Sequence, residues 1–193
     1  MPRYVSGIEE ALPILGRADR ILVIGCSGGG KSTLSRGLSS RLDLPYVSMD
    51  RDFFWLPGWA KRPKAEERAL IAAKVAEERW IMDGTGASSF DLRLPRADLV
   101  VWVRVPRRIC LWGLTCRVAS SFGRVRAEMA PGCPEQLPDR EFLSYIWNFE
   151  RRVSPLIVDR LGRYSPGMPV LQLRSRRDMG ALVARLQGAV TVG

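Results

Sequence analysis

The stretch GCSGGGKST, residues 25 to 33, follows the apolar run Ile21-Leu22-Val23-Ile24 and precedes a segment with helical character. This feature constrains the fold more than any other, because it fixes three things in order: a buried strand, a glycine loop and a helix start. The residues fit the spacing G-x-x-x-x-G-K-[ST] through Gly25, Gly30, Lys31 and Ser32. Glycines at Gly25, Gly28, Gly29 and Gly30 let successive backbone N–H groups turn inward around a phosphate without Cβ clashes, and Ser27 sits among them. The helix that follows adds the positive end of its dipole. Lys31 can reach β- and γ-phosphates, and the Ser32 hydroxyl, next to Thr33, can bind Mg²⁺. A nucleotide phosphate, with Mg²⁺, is therefore the expected ligand.

The rest of the chain is compatible with one domain spanning residues 1–193. Its 193 residues are 46% hydrophobic and 26% charged, ordinary values for a globular protein. No run of 18 apolar residues exists, and acids occupy the amino terminus where a signal peptide needs an apolar centre. A cytoplasmic protein is expected. Cys26, Cys110, Cys116 and Cys133 form no CxxC pair and read as free thiols, and the absence of histidine makes a zinc site a poor fit. The net charge of +10 comes almost wholly from 26 arginines against four lysines. Arginine's planar fork suits phosphate, so a nucleotide or a nucleic acid fits this balance, as does a basic surface without a ligand.

Periodicity predicts strands at Arg20–Ile24, Tyr46–Met49, Trp80–Met82, Leu99–Val105 and Val170–Leu173. Helices are predicted at Ser32–Arg41, Pro63–Arg79, Pro106 to about Ala119, Asp139–Leu161 and Arg176–Leu186, with an amphipathic segment before the first strand. Strands alternating with helices predict a mostly parallel sheet covered on both faces. The one long irregular stretch, SSFGRVRAEMAPGCPEQLPD, carries two glycines and three prolines, and reads as a lid over about 120–138 between core segments 20–119 and 139–190.

The same loop occurs in proteins that do very different things. A switch GTPase needs an Asn-Lys-x-Asp guanine reader, which is missing, and a remodelling ATPase needs an apolar strand ending in Asp-Glu, whereas Leu99–Val105 runs into Pro-Arg. Small phosphotransferases remain. The stretches MDRDFFWLPGW, RWIMDGTGASSFDLRLPRADLVVWV, PRRICLW, MAPGCPE and FLSYIWNFERR, together with the loop, resemble the adenylate-kinase-related P-loop kinases, and within them the group labelled DNA topology modulation proteins. The resemblance covers about residues 20 to 177. It implies an α/β P-loop NTPase fold of three layers, like that of nucleoside and shikimate kinases, with a five-stranded parallel sheet and a lid closing over ATP and a small acceptor.

Several residues then gain roles. Asp50 and Asp52, two apart after the second strand, fall on one side of an extended chain, and the resemblance implies that an acid here binds or orients the acceptor. Solvated loop acids are the other reading of the pair. Asp83 closes the third strand, where such kinases place an acid near Mg²⁺ or an acceptor-gripping arginine, and Gly84 lets backbone approach the acceptor, although Asp-Gly is also a common turn. Arg93 resembles the arginine that grips an acceptor's anionic group, and reads equally as a surface residue. Arg117, Arg124 and Arg126 flank or enter the lid, where arginines stabilise the charge of a loose phosphoryl-transfer transition state. Phe53, Phe54, Trp55 and Trp59 read as an aromatic wall for an acceptor or as packing under the loop. Arg174 and Ser175, after the fifth strand, occupy the place where kinases of this type wrap adenine. The expected function is ATP-dependent transfer of the γ-phosphate to a nucleotide, nucleoside or hydroxyl metabolite by a monomer or homodimer. The alternative is a nucleic-acid-associated or regulatory ATP-binding protein.

Overall fold

Side-chain alternation along the central strands decides the architecture. The computed structural model describes residues 1–190, with side chains through residue 186. In β2 (Arg20–Gly25), Ile21 and Val23 join one buried cluster while Leu22 and Ile24 join another on the opposite face. Strands β6 (Trp80–Asp83) and β7 (Leu99–Val103) divide likewise, with Ile81, Leu99 and Val101 on the first face and Trp80, Met82, Val100 and Trp102 on the second. A sheet apolar on both faces must be covered on both, which gives three layers.

Helices α1 (Ile8–Leu15), α2 (Lys31–Leu42) and α8 (Arg176–Val190) cover the first face. The second lies under α3 (Lys64–Ala76), the short α4 (Phe90–Arg93), α5 (Arg107–Ser121), α6 (Arg140–Arg152) and α7 (Ser154–Tyr164). With β1 (Arg3–Val5), β3 (Tyr46–Ser48) and β8 (Pro169–Leu173), the sheet runs β1-β8-β7-β2-β6-β3, and every pairing is parallel. The sheet therefore has six strands where the sequence predicted five. The sixth, β1, lies ahead of the amphipathic N-terminal segment, which forms α1, and pairs Arg3, Tyr4 and Val5 with Pro169, Val170 and Leu171.

Two further boundaries differ from expectation. The predicted helix over Asp139–Leu161 divides at Val153, because Pro155 opens α7 and cannot continue a preceding helix. After Ser48, residues Met49–Phe54 form one wide helical turn and then the small hairpin β4 (Trp55–Leu56) and β5 (Ala60–Lys61). No helix among the described residues is long and apolar enough to cross a membrane. The carboxyl ends of β2, β3 and β6 open on one crevice, the usual place for a ligand in a parallel sheet.

Candidate active site

The loop between β2 and α2 is pressed onto α5. A Cβ on Gly28, whose φ is +75°, would lie 2.1 Å from the carbonyl oxygen of Cys110, and a Cβ on Gly113 of α5 would lie 2.1 Å from the carbonyl oxygen of Gly28. Glycine is therefore needed on both sides of the contact. Thr85, just past β6, holds the loop's other end: its hydroxyl accepts from the Gly25 N–H at 2.9 Å and donates to the Gly25 carbonyl at 2.7 Å. Lys31 folds back over the loop, its Nζ donating to the Cys26 carbonyl at 2.9 Å. The Cys26 thiol is buried and its pKa is raised, first by the hydrogen bond it shares with Cys110 and then by burial, so it is a neutral thiol.

This loop forms one side of a cleft of about 870 Å³. Ser27, Gly28, Gly30, Lys31, Ser32 and Thr33 line that side, and Asp50, Asp83 and Gly84 line the other. A larger hollow of about 1080 Å³ lies by β1 and β8, away from every one of these groups. Asp83 is 5% exposed, and its Oδ2 accepts from the Tyr46 hydroxyl at 3.1 Å while Oδ1 has no hydrogen-bond partner. Burial raises its carboxyl pKa, and Lys31 with the neighbouring Ser32 and Tyr46 hydroxyls opposes the rise. An orphaned buried carboxylate oxygen beside a hydroxyl is the donor set that hard cations favour. Ser32 and Asp83 thus fit Mg²⁺. No group of three or more such side chains among the described residues could hold a metal unaided, so phosphate oxygens would complete its shell.

Asp50 sits on the wide turn after β3, with its side chain open to the water of the cleft but flanked by protein. That confinement raises its pKa, Lys31 opposes the rise, and Asp83 adds to it. Asp52 has a different task. Its Oδ2 accepts from the Ser48 N–H at 2.8 Å and its Oδ1 pairs with Arg51 at 2.7 Å, so it braces the turn that presents Asp50.

The predicted lid folds against this cleft. Residues 129 to 133 pack beneath Trp55 and Trp59, whose rings meet edge to face at 5.2 Å, and the Trp59 indole donates to the Pro134 carbonyl at 3.1 Å. A backbone bond from Gly58 N–H to Gly132 O at 3.0 Å ties the hairpin to the same segment. The aromatic residues serve packing under the loop. Arg117 reaches the phosphate loop, with Nη1 3.3 Å from Ser27 Oγ, and Arg126 lines the cleft beside it. Glu128 joins them, paired with Arg36 of α2 and lying 3.6 Å from Arg126.

No family model matches the chain. The uncharacterized protein YqaC of Bacillus subtilis (strain 168) is 31% identical over 128 residues, which span 65% of this chain and 69% of YqaC. The chain belongs to the YqaC family. Among solved structures, shikimate kinase from Bacteroides thetaiotaomicron aligns with a TM-score of 0.52 at 18% identity, over 91% of this chain and 99% of that one. Shikimate kinase from Acinetobacter baumannii in complex with shikimate aligns with a TM-score of 0.53 at 14% identity, over 93% and 97%. At these identities the likeness is one of fold alone, and this YqaC-family member has the parallel-sheet α/β P-loop fold seen in those two structures.

Not every residue singled out from the sequence reaches the cleft. Arg93 is fully buried: its guanidinium donates to the carbonyls of Gly84, Thr85 and Gly86 and, through Nε, to Ser89 Oγ at 3.0 Å. Burial pushes its pKa down to about 9, which still leaves a cation at neutral pH. It binds the segment that holds Thr85 and Gly84, and its position corrects the expectation of a free anion grip. Gly84 itself is required by packing, since a Cβ there would lie 2.6 Å from Met49 Cβ. Arg124 points outward, exposed. Ser175 caps α8, its Oγ accepting from Asp178 N–H at 3.0 Å, and the exposed Arg174 borders the other hollow. Neither lines the phosphate-loop cleft; Arg176 and Met179, in the first turn of α8, do. Thr85, Gly113, Glu128 and Glu135 went unread, and a glycine inside an apolar helix was the one local signal among them.

Proposed function

We propose that this protein is an ATP-dependent phosphotransferase that moves the γ-phosphoryl group to a hydroxyl of a small acceptor. The observation that carries the reading is the convergence of Lys31, Asp50, Asp83, Arg117 and Arg126 on one cleft at the carboxyl end of a parallel sheet. That set provides what in-line phosphoryl transfer requires: a phosphate cradle, an acid to orient the nucleophile, and cations for the equatorial oxygens.

In this reading Lys31 exchanges the Cys26 carbonyl for the β- and γ-phosphate oxygens. Asp50, ionised, accepts a hydrogen bond from the acceptor hydroxyl and then its proton as the O–P bond forms and ADP leaves. Arg117 and Arg126 offset charge on the transferring group. Mg²⁺, held by Ser32 and Asp83 with phosphate oxygens, would supply further charge neutralisation. The commitment of Arg93 to backbone carbonyls favours a hydroxyl acceptor, a nucleoside or metabolite, over a monophosphate, which would need that cationic grip.

The test is ADP release from Mg-ATP across nucleoside monophosphates, nucleosides, hydroxyl metabolites and duplex DNA, with Lys31→Ala as blank. Stimulation by one hydroxyl compound, lost in Asp50→Asn, is the expected result. Stimulation by DNA alone, or ATP binding with no stimulating acceptor, would refute it.

A further inference from the structure

One buried carboxylate outside the expected machinery holds two of the arginines that line the phosphate-loop cleft. Glu135 is 5% exposed. Its Oε1 accepts from Arg117 Nε at 2.9 Å and its Oε2 from Arg126 Nε at 2.7 Å. Each guanidinium is thus gripped by its inner nitrogen; Arg117 turns Nη1 toward Ser27, and Arg126 lines the cleft with Nη1 3.6 Å from Glu128 Oε2. The backbone of Glu135 is fixed in turn, receiving a bond from Gly123 N–H at 2.9 Å and donating to Arg124 O at 2.9 Å. Two neighbouring guanidiniums repel each other, and Glu135 also supplies the negative charge that lets them share the site.

We infer that Glu135 is a positioning residue that aims Arg117 and Arg126 together at the transferring phosphoryl group, acting on the rate of transfer and not on nucleotide affinity. The inference rests on the phosphotransferase reading. A carboxylate that fixes two arginines by Nε removes rotamer freedom that each would otherwise lose at the moment of reaction. An ordinary structural ion pair would instead show its effect in stability alone.

The experiment is a mutant cycle on the full chain with its stimulating acceptor. Glu135→Gln should lower kcat on the order of 10²-fold, comparable to losing a preorganised donor, while KM for ATP moves less than about threefold. In an Arg117→Ala/Arg126→Ala background the same change should leave kcat unaltered, since Glu135 acts only through those side chains. Equal losses in both backgrounds, or unchanged kcat in the first, would overturn the inference. If Glu135→Gln melts too early to assay, Glu135→Asp keeps the charge but is one methylene short of spanning both guanidiniums. Positioning predicts lost kcat there, and charge compensation alone predicts none. A wild-type chain that transfers no phosphate to any acceptor overturns this inference together with the function it rests on, whereas an active wild type with an unaffected Glu135→Gln overturns this inference alone.

Discussion

Gly113→Ala separates two physical arguments that point in opposite directions. Gly113 lies inside α5, where helix propensity alone would make alanine more stabilising by about 0.8–1 kcal/mol. The added Cβ, however, would stand 2.1 Å from Gly28 O, 3.1 Å from Gly28 C and 2.9 Å from Arg176 Nη2. The arginine tip can swing away, but a backbone carbonyl in the phosphate loop cannot. Reaching the 3.0 Å that real Cβ atoms respect requires about 0.9 Å of retreat by the loop or the helix. Overpacking of this kind costs about 1–3 kcal/mol, so the net change in stability is small or unfavourable and the fold survives. Function is more sensitive, because a shift near 1 Å at a reacting site costs about 10²-fold. Gly113→Ala should therefore lose at least about tenfold in Mg-ATP affinity by titration calorimetry, and about 10²-fold in turnover, with a melting midpoint at or a few degrees below wild type. A variant that binds Mg-ATP normally and melts higher would refute the claim that the P-loop is seated on α5 through this glycine pair.

Three other outcomes follow from the site. Asp83→Asn tests linkage: burial raises the folded-state pKa above 3.8, so the native chain holds the proton more tightly and loses stability as pH rises from the unfolded toward the folded value. Removing the ionisable group should raise the melting midpoint at pH 7, leave it nearly unchanged at acid pH, and abolish Mg-dependent turnover; equal midpoint shifts at both pH values would contradict the sign. Arg93→Ala removes the guanidinium donor from the Gly84 and Thr85 carbonyls, while Gly86 O keeps its bonds from Ser89, and should cost about 2–6 kcal/mol in urea unfolding; Arg93→Lys should recover little because one ammonium cannot span the carbonyls. Arg126→Ala should lower turnover by about 10²–10³-fold whereas Arg124→Ala stays within about twofold, and matched losses in steady-state kinetics would mean that the lid admits both.

The parts legible in the sequence are those whose physics is local. Lys31 and Ser32 are set by loop spacing and a helix start, and Asp83 and Asp50 by their places at or just past strand ends, so strand periodicity locates them. Arg93 was misread because its partners are carbonyls freed by the irregular Gly84–Gly86 segment, which no pattern in the chain exposes. The choice of Arg126 over Arg124 as the cleft-facing residue depends on the bridge between Phe122 and Glu135, a contact across 13 residues of loop. Strand β1 depends on pairing with residues near the far end of the chain. Pro155, by contrast, was a readable signal for the break between α6 and α7.

The imbalance between 26 arginines and four lysines acquires a structural meaning at this cleft. Arginine recurs where a side chain must be held by its own planar fork: Arg93 across consecutive carbonyls, Arg117 and Arg126 on one carboxylate, Arg20 on Asp98 at the mouth of β2. Those contacts fix the direction of the charge as well as its presence. Lys31 does the opposite, resting a flexible ammonium on Cys26 O that it must leave to meet a phosphate. A cleft built this way separates its tasks by residue type, with arginines pre-aimed before ligand arrives and one lysine left to move. Net charge read as a single number cannot reveal that division, which is why the sequence left an anionic ligand and a plain basic surface both open as explanations of +10.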